Sequence, residues 1–267
     1  MKDLIGLKKT HMKVKTISEF INSNQNPEIL FWVGCAGSYD DRYKKVTKSF
    51  VKILNHLKID FAVLGDEEGC TGDPARRAGN EYLFQMQALN NINTLNKYNI
   101  KRIVTMCPHC FNTLKNEYPE LGGDYDVIHH TEFLNELLED GKLLSKKSHI
   151  KITYHDSCYL GRGNKIYEAP RNLINLLSEN LHEMKRSKEN GLCCGAGGSQ
   201  IFKESESGNV EINLERIKDI EDINPDTVAV ACPFCMTMIN DGVNEKNLDK
   251  KINVKDISEI IEENLKK

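Results

Sequence analysis

The stretch Thr227-Val228-Ala229-Val230-Ala231-Cys232-Pro233-Phe234-Cys235 decides the fold. Five small or β-branched residues in a row read as a strand buried on both faces, the pattern of a parallel sheet covered by helices. The run passes directly into Cys-Pro-x-Cys. Proline suits the first turn of a helix, so both thiols fall where a strand passes its chain to a helix N-terminus. The same grammar occurs at Arg102-Ile103-Val104-Thr105-Met106, which enters Cys107-Pro108-His109-Cys110.

Around these two junctions the chain repeats itself. In the first half, Ile29-Leu30-Phe31-Trp32-Val33 reads as a strand ending at Gly34-Cys35-Ala36-Gly37. Val46, Phe50, Val51, Leu54 and Leu57 follow at helical spacing, then a short strand, Phe61-Ala62-Val63-Leu64, and Gly69-Cys70-Thr71-Gly72. Asp73 as N-cap and Pro74 as first residue open a long helix through about Leu95. A strand near Asp126-Val127-Ile128 and a helix over Glu132–Leu138 close this half. In the second half, Ile150-Lys151-Ile152-Thr153-Tyr154 leads to His155-Asp156-Ser157-Cys158. A helical stretch with Leu173, Leu176 and Leu177 follows, and Cys193-Cys194-Gly195 takes the place of Gly69-Cys70-Thr71. A helix over Val210–Ile220, the strand that enters Cys232, and then Ile252-Asn253-Val254 with Ile257–Leu265 complete it.

The offsets make this a duplication. Cys35 to Cys158 is 123 residues, Cys70 to Cys194 is 124, and Cys107 to Cys232 and Cys110 to Cys235 are both 125. A near-constant period carrying one strand–Cys–helix order means two homologous α/β units, each a small, mainly parallel sheet with flanking helices. The thiols gather beyond the carboxyl ends of the strands. The boundary is expected in the polar, lysine-bearing stretch Asp140–Ser148. Residues 1–28 form a lead-in: Lys8, Lys9, Lys13 and Lys15 beside Ile17, Phe20 and Ile21 read either as a solvated segment or as a short helix for a partner or an anionic surface, and Met12 as an alternative start.

Bulk properties limit the chemistry. The chain has 267 residues, 39% hydrophobic and 28% charged, with a net charge of -3, which gives no electrostatic case for nucleic acid. The start, Met1-Lys2-Asp3-Leu4-Ile5-Gly6-Leu7-Lys8-Lys9, lacks a secretory h-region, and no apolar run reaches the roughly 18 residues of a membrane span. A cytoplasmic protein is expected, where an odd count of nine cysteines argues against a disulfide framework. Burial as a small hydrophobe would explain any one cysteine, but not this spacing. Thiols at helix N-termini are expected to have lowered pKa values. Soft thiolates select iron–sulfur, zinc or copper(I), and the contest is between the first two. The second unit offers five thiols, Cys158, Cys193, Cys194, Cys232 and Cys235; tetrahedral zinc needs four, so a polynuclear centre fits better.

The pattern has 34 residues between Cys158 and Cys193-Cys194-Gly195, then 37 between Cys194 and Cys232-x-x-Cys235. It resembles the CCG cysteine-rich domain family, which includes the cysteine-rich subunit of heterodisulfide reductase and iron–sulfur subunits of anaerobic glycerol-3-phosphate dehydrogenase, lactate utilisation systems and glycolate oxidase. The resemblance covers about residues 29–265, nearly the whole chain. The runs Phe31–Gly37, Cys70–Arg77 and Cys107–Asn116 look most like the (Fe–S) oxidoreductases that link electron-transfer flavoprotein to the quinone pool. The fold class so implied is α/β with two tandem homologous CCG domains related by pseudo-two-fold duplication. Domain 1 spans 29–140, degenerate with four cysteines, and domain 2 spans 149–267, complete with five.

In that family a complete motif implies an unusual non-cubane [4Fe-4S] cluster, here on the five cysteines of domain 2. Gly69 stands where the first cysteine of the first Cys-Cys-Gly belongs. Cys35, Cys70, Cys107 and Cys110 are therefore left for a second [4Fe-4S] cluster, zinc or nothing, and the missing thiol counts against heterodisulfide reduction. Relatives of this branch also carry a membrane section and a ferredoxin-like run of cysteines, which this chain lacks. The resemblance implies an (Fe–S) oxidoreductase subunit acting within a complex as an electron-transfer relay. Its donor would be a ferredoxin-like iron–sulfur subunit or electron-transfer flavoprotein, and its acceptor a membrane quinone-reducing subunit at the inner face. No residue is assigned as catalytic. Two alternatives stand: a heterodisulfide or thiol-disulfide reductase with substrate at the domain 2 cluster, and a zinc-stapled structural or adaptor protein. Arg76 and Arg77 read as partners of cluster charge or of an acidic flavoprotein, or as a solvated helix face. His109 and His155 read as hydrogen-bond tuners or proton-coupled groups rather than ligands, His129-His130 as strand-end packing or surface, and Trp32 as core.

Overall fold

A computed structural model describes residues 14–204 and 207–266. Lys8, Lys9, Met12, Lys13 and the start of the chain lie outside the described residues. The chain divides into two compact units between Phe133 and Leu134. No helix among the described residues is long and apolar enough to cross a membrane.

The first unit runs β1 (Lys15–Thr16), α1 (Ile17–Asn22), β2 (Ile29–Trp32), α2 (Gly34–Tyr39), α3 (Tyr43–His56), β3 (Phe61–Val63), α4 (Asp73–Arg77), α5 (Glu81–Lys97), β4 (Arg102–Thr105), α6 (Pro108–Asn112), β5 (Asp126–His129) and α7 (His130–Glu139), whose later residues belong to the second unit. Its sheet has the order β1-β3-β2-β4-β5, with every pair parallel. The second unit runs β6 (Ile152–Tyr154), α8 (Gly161–Asn164), α9 (Glu168–Leu177), α10 (Ile212–Ile223), β7 (Thr227–Val230), α11 (Pro233–Glu245), β8 (Asn253–Asp256) and α12 (Ile257–Asn264). Its sheet is β6-β7-β8, again wholly parallel. The α/β class with two parallel sheets flanked by helices is as the sequence implied.

Central strands β2 and β7 are buried at every residue, as the apolar runs required of strands covered on both faces. Helix α3 lays Val46, Phe50, Ile53 and Leu54 on the first sheet, with the Phe31 and Phe50 rings 5.0 Å apart edge to face. Helix α9 buries Leu173, Ile174 and Leu177 in the second unit.

Three details differ from the sequence reading. The lead-in is partly structural. Lys15–Thr16 extend the first sheet beside β3, α1 begins on a Thr16/Glu19 capping box, and Ile17 and Phe20 are buried. The long helix expected from Asp73 to about Leu95 is two helices. Gly79 takes φ +83° and Asn80 accepts the Leu83 N–H as a fresh N-cap. The second unit has no full counterpart of β3 among its described residues. There the chain makes only single parallel bridges, Ser148 with Ser178 and Ile152 with Leu181.

Candidate metal centres

Strands β6 and β7 are neighbours in register, Tyr154 opposite Ala229, so both release their chains at one edge of the sheet. That brings Cys158 to Cys232 and Cys235, where Cys232 is the N-cap of α11 and Pro233 its first residue. The segment between α9 and α10 delivers Cys193 and Cys194 to the same place. The five thiols make an unbroken series of side-chain hydrogen-bond contacts, Cys158 to Cys193 to Cys194 to Cys235 to Cys232. Cys194, Cys232 and Cys235 are buried, while Cys158 and Cys193 are half-buried and form the outer side. All nine cysteines of the chain are free thiols.

Acidity is divided unevenly. Hydrogen bonds from Cys158 and Cys194, then the Gly195 N–H, hold Cys193 far below the ordinary thiol value. Cys158 is pushed up by its hydrogen bond to Cys193 and by burial, and Cys235 by its bonds to Cys194 and Cys232 and by burial. The uniform lowering expected at helix N-termini is therefore overturned. Crowded thiolates repel one another, which pushes Cys158, Cys194 and Cys235 up while Cys193 comes down; a cationic centre would relieve that repulsion. Gly195 shapes the loop. Its φ is +96°, a Cβ there would lie 3.3 Å from Ile212 Cβ, and its N–H donates to Cys193 Sγ at 3.3 Å.

Buried charge fixes these loops. Arg171 clasps Asp156 through two bonds of 2.9 and 3.0 Å, and Asp156 also accepts the Lys188 N–H at 2.8 Å. The Cys158 loop is thereby tied to the approach of Cys193, and Arg162 donates to the Gly191 carbonyl to the same end. His155 is buried; Arg216, also buried, donates from Nε to His155 Nδ1 at 3.1 Å. Burial, then the Arg216 charge, brings the imidazole pKa down to about 3, so the ring is neutral. A ring nitrogen of His155 lies within 4.8 Å of Cys194 and Cys235 Sγ.

The first unit builds the corresponding place between neighbouring strands β2 and β4. Cys35 follows β2, Cys107 caps α6 with Cys110 one turn on, and Cys70 precedes α4. Cys35 hydrogen-bonds Cys70, Cys110 bonds Cys107, and Cys110 also feels the charges of Cys35 and Cys70. The bond from Cys35 lowers Cys70 to about 7 and raises Cys35 itself. Thr71 Oγ1 lies 3.7 Å from Cys110 Sγ, and the Gly72 N–H donates to Cys70 Sγ at 3.5 Å. Glu68 accepts the Val33 and Gly34 N–H groups at 3.0 and 2.6 Å, joining the Cys35 and Cys70 loops. Burial pushes its carboxyl up to about 7 against those two bonds.

Where a fifth thiol would project, Asn91 fills the space. A Cβ on Gly69 would meet Asn91 Oδ1 at 2.9 Å, while Asn91 Nδ2 donates to the Cys70 carbonyl at 2.8 Å and to Tyr118 Oη at 2.9 Å. His109 Nδ1 pairs with Asp73 at 2.8 Å, and Asp73 accepts Arg77 Nε at 3.0 Å. Burial alone would raise Asp73; His109 and Arg77 bring it below the ordinary value. Arg77 continues to Glu117, which Arg76 meets at 3.0 Å. These arginines are thus joined to acids of their own unit, neither bare docking arms nor a plain solvated face. His129 and His130 are buried and packed against Phe111 and Phe50, so of the two readings packing holds and surface does not; Trp32 is fully buried, as expected.

Reasoning from the sequence missed Asn91, Glu68, Arg171 and Arg216. A signal existed for two of them. Asn91 lies on the buried stripe Phe84, Ala88, Ile92, Leu95 of α5, and Arg216 on the stripe Asn213, Ile217, Ile220 of α10. A polar residue on an apolar face needs partners, and here one partner of each, the Cys70 carbonyl for Asn91 and His155 for Arg216, lies in or beside a cysteine loop.

The second set fits an iron–sulfur centre on its donor chemistry: five sulfurs in one unbroken series of contacts exceed what one tetrahedral ion takes. The first set, with four, fits either a cluster or zinc. Known proteins are similar in sequence to this chain. A probable iron–sulfur-binding oxidoreductase of Bacillus subtilis, FadF, is 44% identical over 251 residues, 93% of this chain and 36% of that protein. The EtfAB:quinone oxidoreductase of Syntrophomonas wolfei is 44% identical, over 88% of this chain and 34% of that protein. One of the subunits of the dihydromethanophenazine:CoB–CoM heterodisulfide reductase of Methanosarcina barkeri is 35% identical, over 89% of this chain and 59% of that protein. The chain thus spans about a third of the length of the first two relatives and less than two thirds of the third. The cysteine-rich CCG domain matches twice, at residues 29–115 and 152–240, one match to each unit; the chain belongs to the CCG cysteine-rich domain family.

Proposed function

We propose that this chain is an iron–sulfur electron-transfer module of an oxidoreductase complex. Cys158, Cys193, Cys194, Cys232 and Cys235 hold a [4Fe-4S] centre of non-cubane type in domain 2, taken as residues 149–267. The observation that carries this reading is the unbroken contact of five thiols. Cys35, Cys70, Cys107 and Cys110 of domain 1, residues 29–140, hold a separate four-thiolate centre, a [4Fe-4S] cluster or zinc. Asn91 in the space of a fifth ligand supports the difference.

When bound, an iron–sulfur centre accepts and returns single electrons. The protein's part is to hold it and set its surroundings. The half-buried Cys158 and Cys193 leave an outer side for exchange with a partner, while the buried Cys194, Cys232 and Cys235 exclude water from the inner side. Arg171 and Asp156 keep the Cys158 loop in place, and buried Arg216 sets a positive charge behind it. The name of the Syntrophomonas relative supports a flavoprotein donor and a quinone-linked acceptor; a ferredoxin-like subunit is the alternative donor. The chain would work in the cytoplasm, at the inner membrane face through partner subunits.

Anaerobic purification with iron, zinc and acid-labile sulfide analysis, followed by EPR, tests this. Iron and sulfide in the second unit, with a signal that a flavoprotein donor can reduce, is expected. Stoichiometric zinc without sulfide would refute the redox function and leave a zinc-stapled adaptor. A second reading, thiol-disulfide reduction at the same centre, is favoured by the partial exposure of Cys158 and Cys193 and by the relative named for heterodisulfide reduction. Turnover of a disulfide by the reduced protein would establish it.

A further inference from the structure

Cys194 and Cys235 have a neighbour whose role is still open. A ring nitrogen of His155 lies within 4.8 Å of both sulfurs, and the imidazole is 1% exposed. Its Nδ1 faces the guanidinium of Arg216, whose Nε–H donates at 3.1 Å. A guanidinium carries donors only, so Nδ1 must be the accepting nitrogen. The proton of the imidazole therefore resides on Nε2. That atom is buried and has no hydrogen-bond partner in the protein. Arg216 cannot swing away, because its Nη1 is held by the Arg186 carbonyl at 2.7 Å and by Asp219 at 2.8 Å.

An imidazole whose Nδ1 lone pair is engaged and whose Nε2 bears hydrogen has no lone pair for iron. It can only donate. The first unit offers an independent comparison. Trp32 precedes Cys35 by three residues, as His155 precedes Cys158. Its indole N–H, which can never ligate, is likewise buried and without a partner. Both units thus reserve a ring N–H donor at the same point of the chain.

We propose that His155 donates a hydrogen bond from Nε2–H to the sulfur array of the second centre, and that Arg216 is the positioning residue that fixes this tautomer and bars His155 from binding iron. The inference rests on the reading of the second unit as an iron–sulfur site. A donor aimed at sulfur favours the more negatively charged, reduced state, so it raises the reduction potential.

The test uses the full chain, purified anaerobically with its centres, with iron and sulfide counted first. If neither is present, the iron–sulfur reading fails and this inference falls with it. With both present, pulsed EPR of the reduced, 15N-histidine-labelled protein is recorded on the signals that Cys194→Ser removes. Weak nitrogen coupling plus a deuteron that enters from D2O is expected. The strong coupling of an iron-bound nitrogen would overturn the proposal. In His155→Phe the potential is expected to fall enough to change the oxidised-to-reduced ratio at least tenfold, about 59 mV for one electron. His155→Gln, whose amide still donates, should recover most of this, and Arg216→Met should shift it less in the same direction. An unchanged potential in His155→Phe with iron intact would also overturn the proposal. If His155→Phe loses its iron, the labelled wild-type spectrum decides.

Discussion

Trp32 and Asn91 stand in the first unit where His155 and Arg216 stand in the second, 123 and 125 residues further on. The strands and cysteines around them are shared, but what these side chains do differs. Asn91 ties down the Cys70 carbonyl and fills the room of a fifth thiol, whereas Arg216 turns away to a histidine and leaves Cys193 its place. A second contrast runs alongside. Between its paired cysteines the first unit has His109, joined to Asp73 and on to Arg77, where the second has Phe234, 5.9 Å edge to face from the exposed Phe202. The first site is closed by a polar network, and the second is flanked by aromatic rings and a glycine loop. Duplication kept the scaffold that converges sulfurs at the carboxyl ends of parallel strands, and divergence acted on the residues lining it.

The comparison can be broken most decisively at the cysteines. Cys194→Ser should remove the second unit's iron and sulfide altogether while the first unit keeps its metal, as read by metal analysis. Cys70→Ser should do the reverse. Loss of both centres in either variant would show that the units do not act as separate sites.

The next largest effect concerns how each unit fixes its first cysteine loop. The second uses a buried ion pair, Asp156 with Arg171, the first a carboxylate on two backbone N–H groups. Arg171→Leu removes the ion-pair partner of buried Asp156, and should cost about 3–5 kcal/mol in denaturant unfolding. Glu68→Gln, which keeps an acceptor, should cost about 1–2 kcal/mol. Equal losses would mean that burial, not charge, dominates both.

Gly69→Cys sharpens the contrast in ligand number. The new side chain meets Asn91, and overpacking of this kind costs about 1–3 kcal/mol. Alone it should destabilise the first unit without adding iron. Combined with Asn91→Ala, which opens the space, the cysteine should become accommodated and the iron spectrum of the first unit should change. A full gain from Gly69→Cys alone would show that Asn91 does not set the ligand count.

The smallest effect is on the acid side. Burial alone would raise Asp219, but Arg186 and Arg216 hold it below the ordinary carboxylate value of 3.8. Its pairing therefore stabilises the fold above that pH and is lost as pH falls through the lowered folded value. Asp219→Asn should flatten the acid-side loss of stability in pH-dependent unfolding. An unchanged slope would assign that loss to other carboxylates.

Much of this was legible in the sequence. Thr227–Ala231 and Ile29–Val33 could only be buried parallel strands, and the proline after Cys107 and Cys232 fixed where each chain turned. The near-constant offset between four pairs of cysteines exposed the duplication, and the extra thiol at Cys193 its asymmetry. What was hidden depends on long-range partners. Gly79 between Arg77 and Glu81 breaks a helix that the apolar pattern alone would continue, because the left-handed turn is a local choice that Asn80 then caps. Lys15–Thr16 became a strand by pairing with β3, with no periodic signal in two residues. Arg171, Arg216 and Asn91 reach Asp156, His155 and the Cys70 carbonyl, 15, 61 and 21 residues away in the chain, which periodicity does not report.

The central claim is that two similar units hold different centres, the polynuclear one in the second. Anomalous diffraction from anaerobically grown crystals, measured at the iron and zinc edges, tests it most directly. The account predicts several iron atoms enclosed by Cys158, Cys193, Cys194, Cys232 and Cys235, and a distinct group bound only by Cys35, Cys70, Cys107 and Cys110 in the first unit. A single zinc peak among the five cysteines, or identical centres in both units, would contradict it.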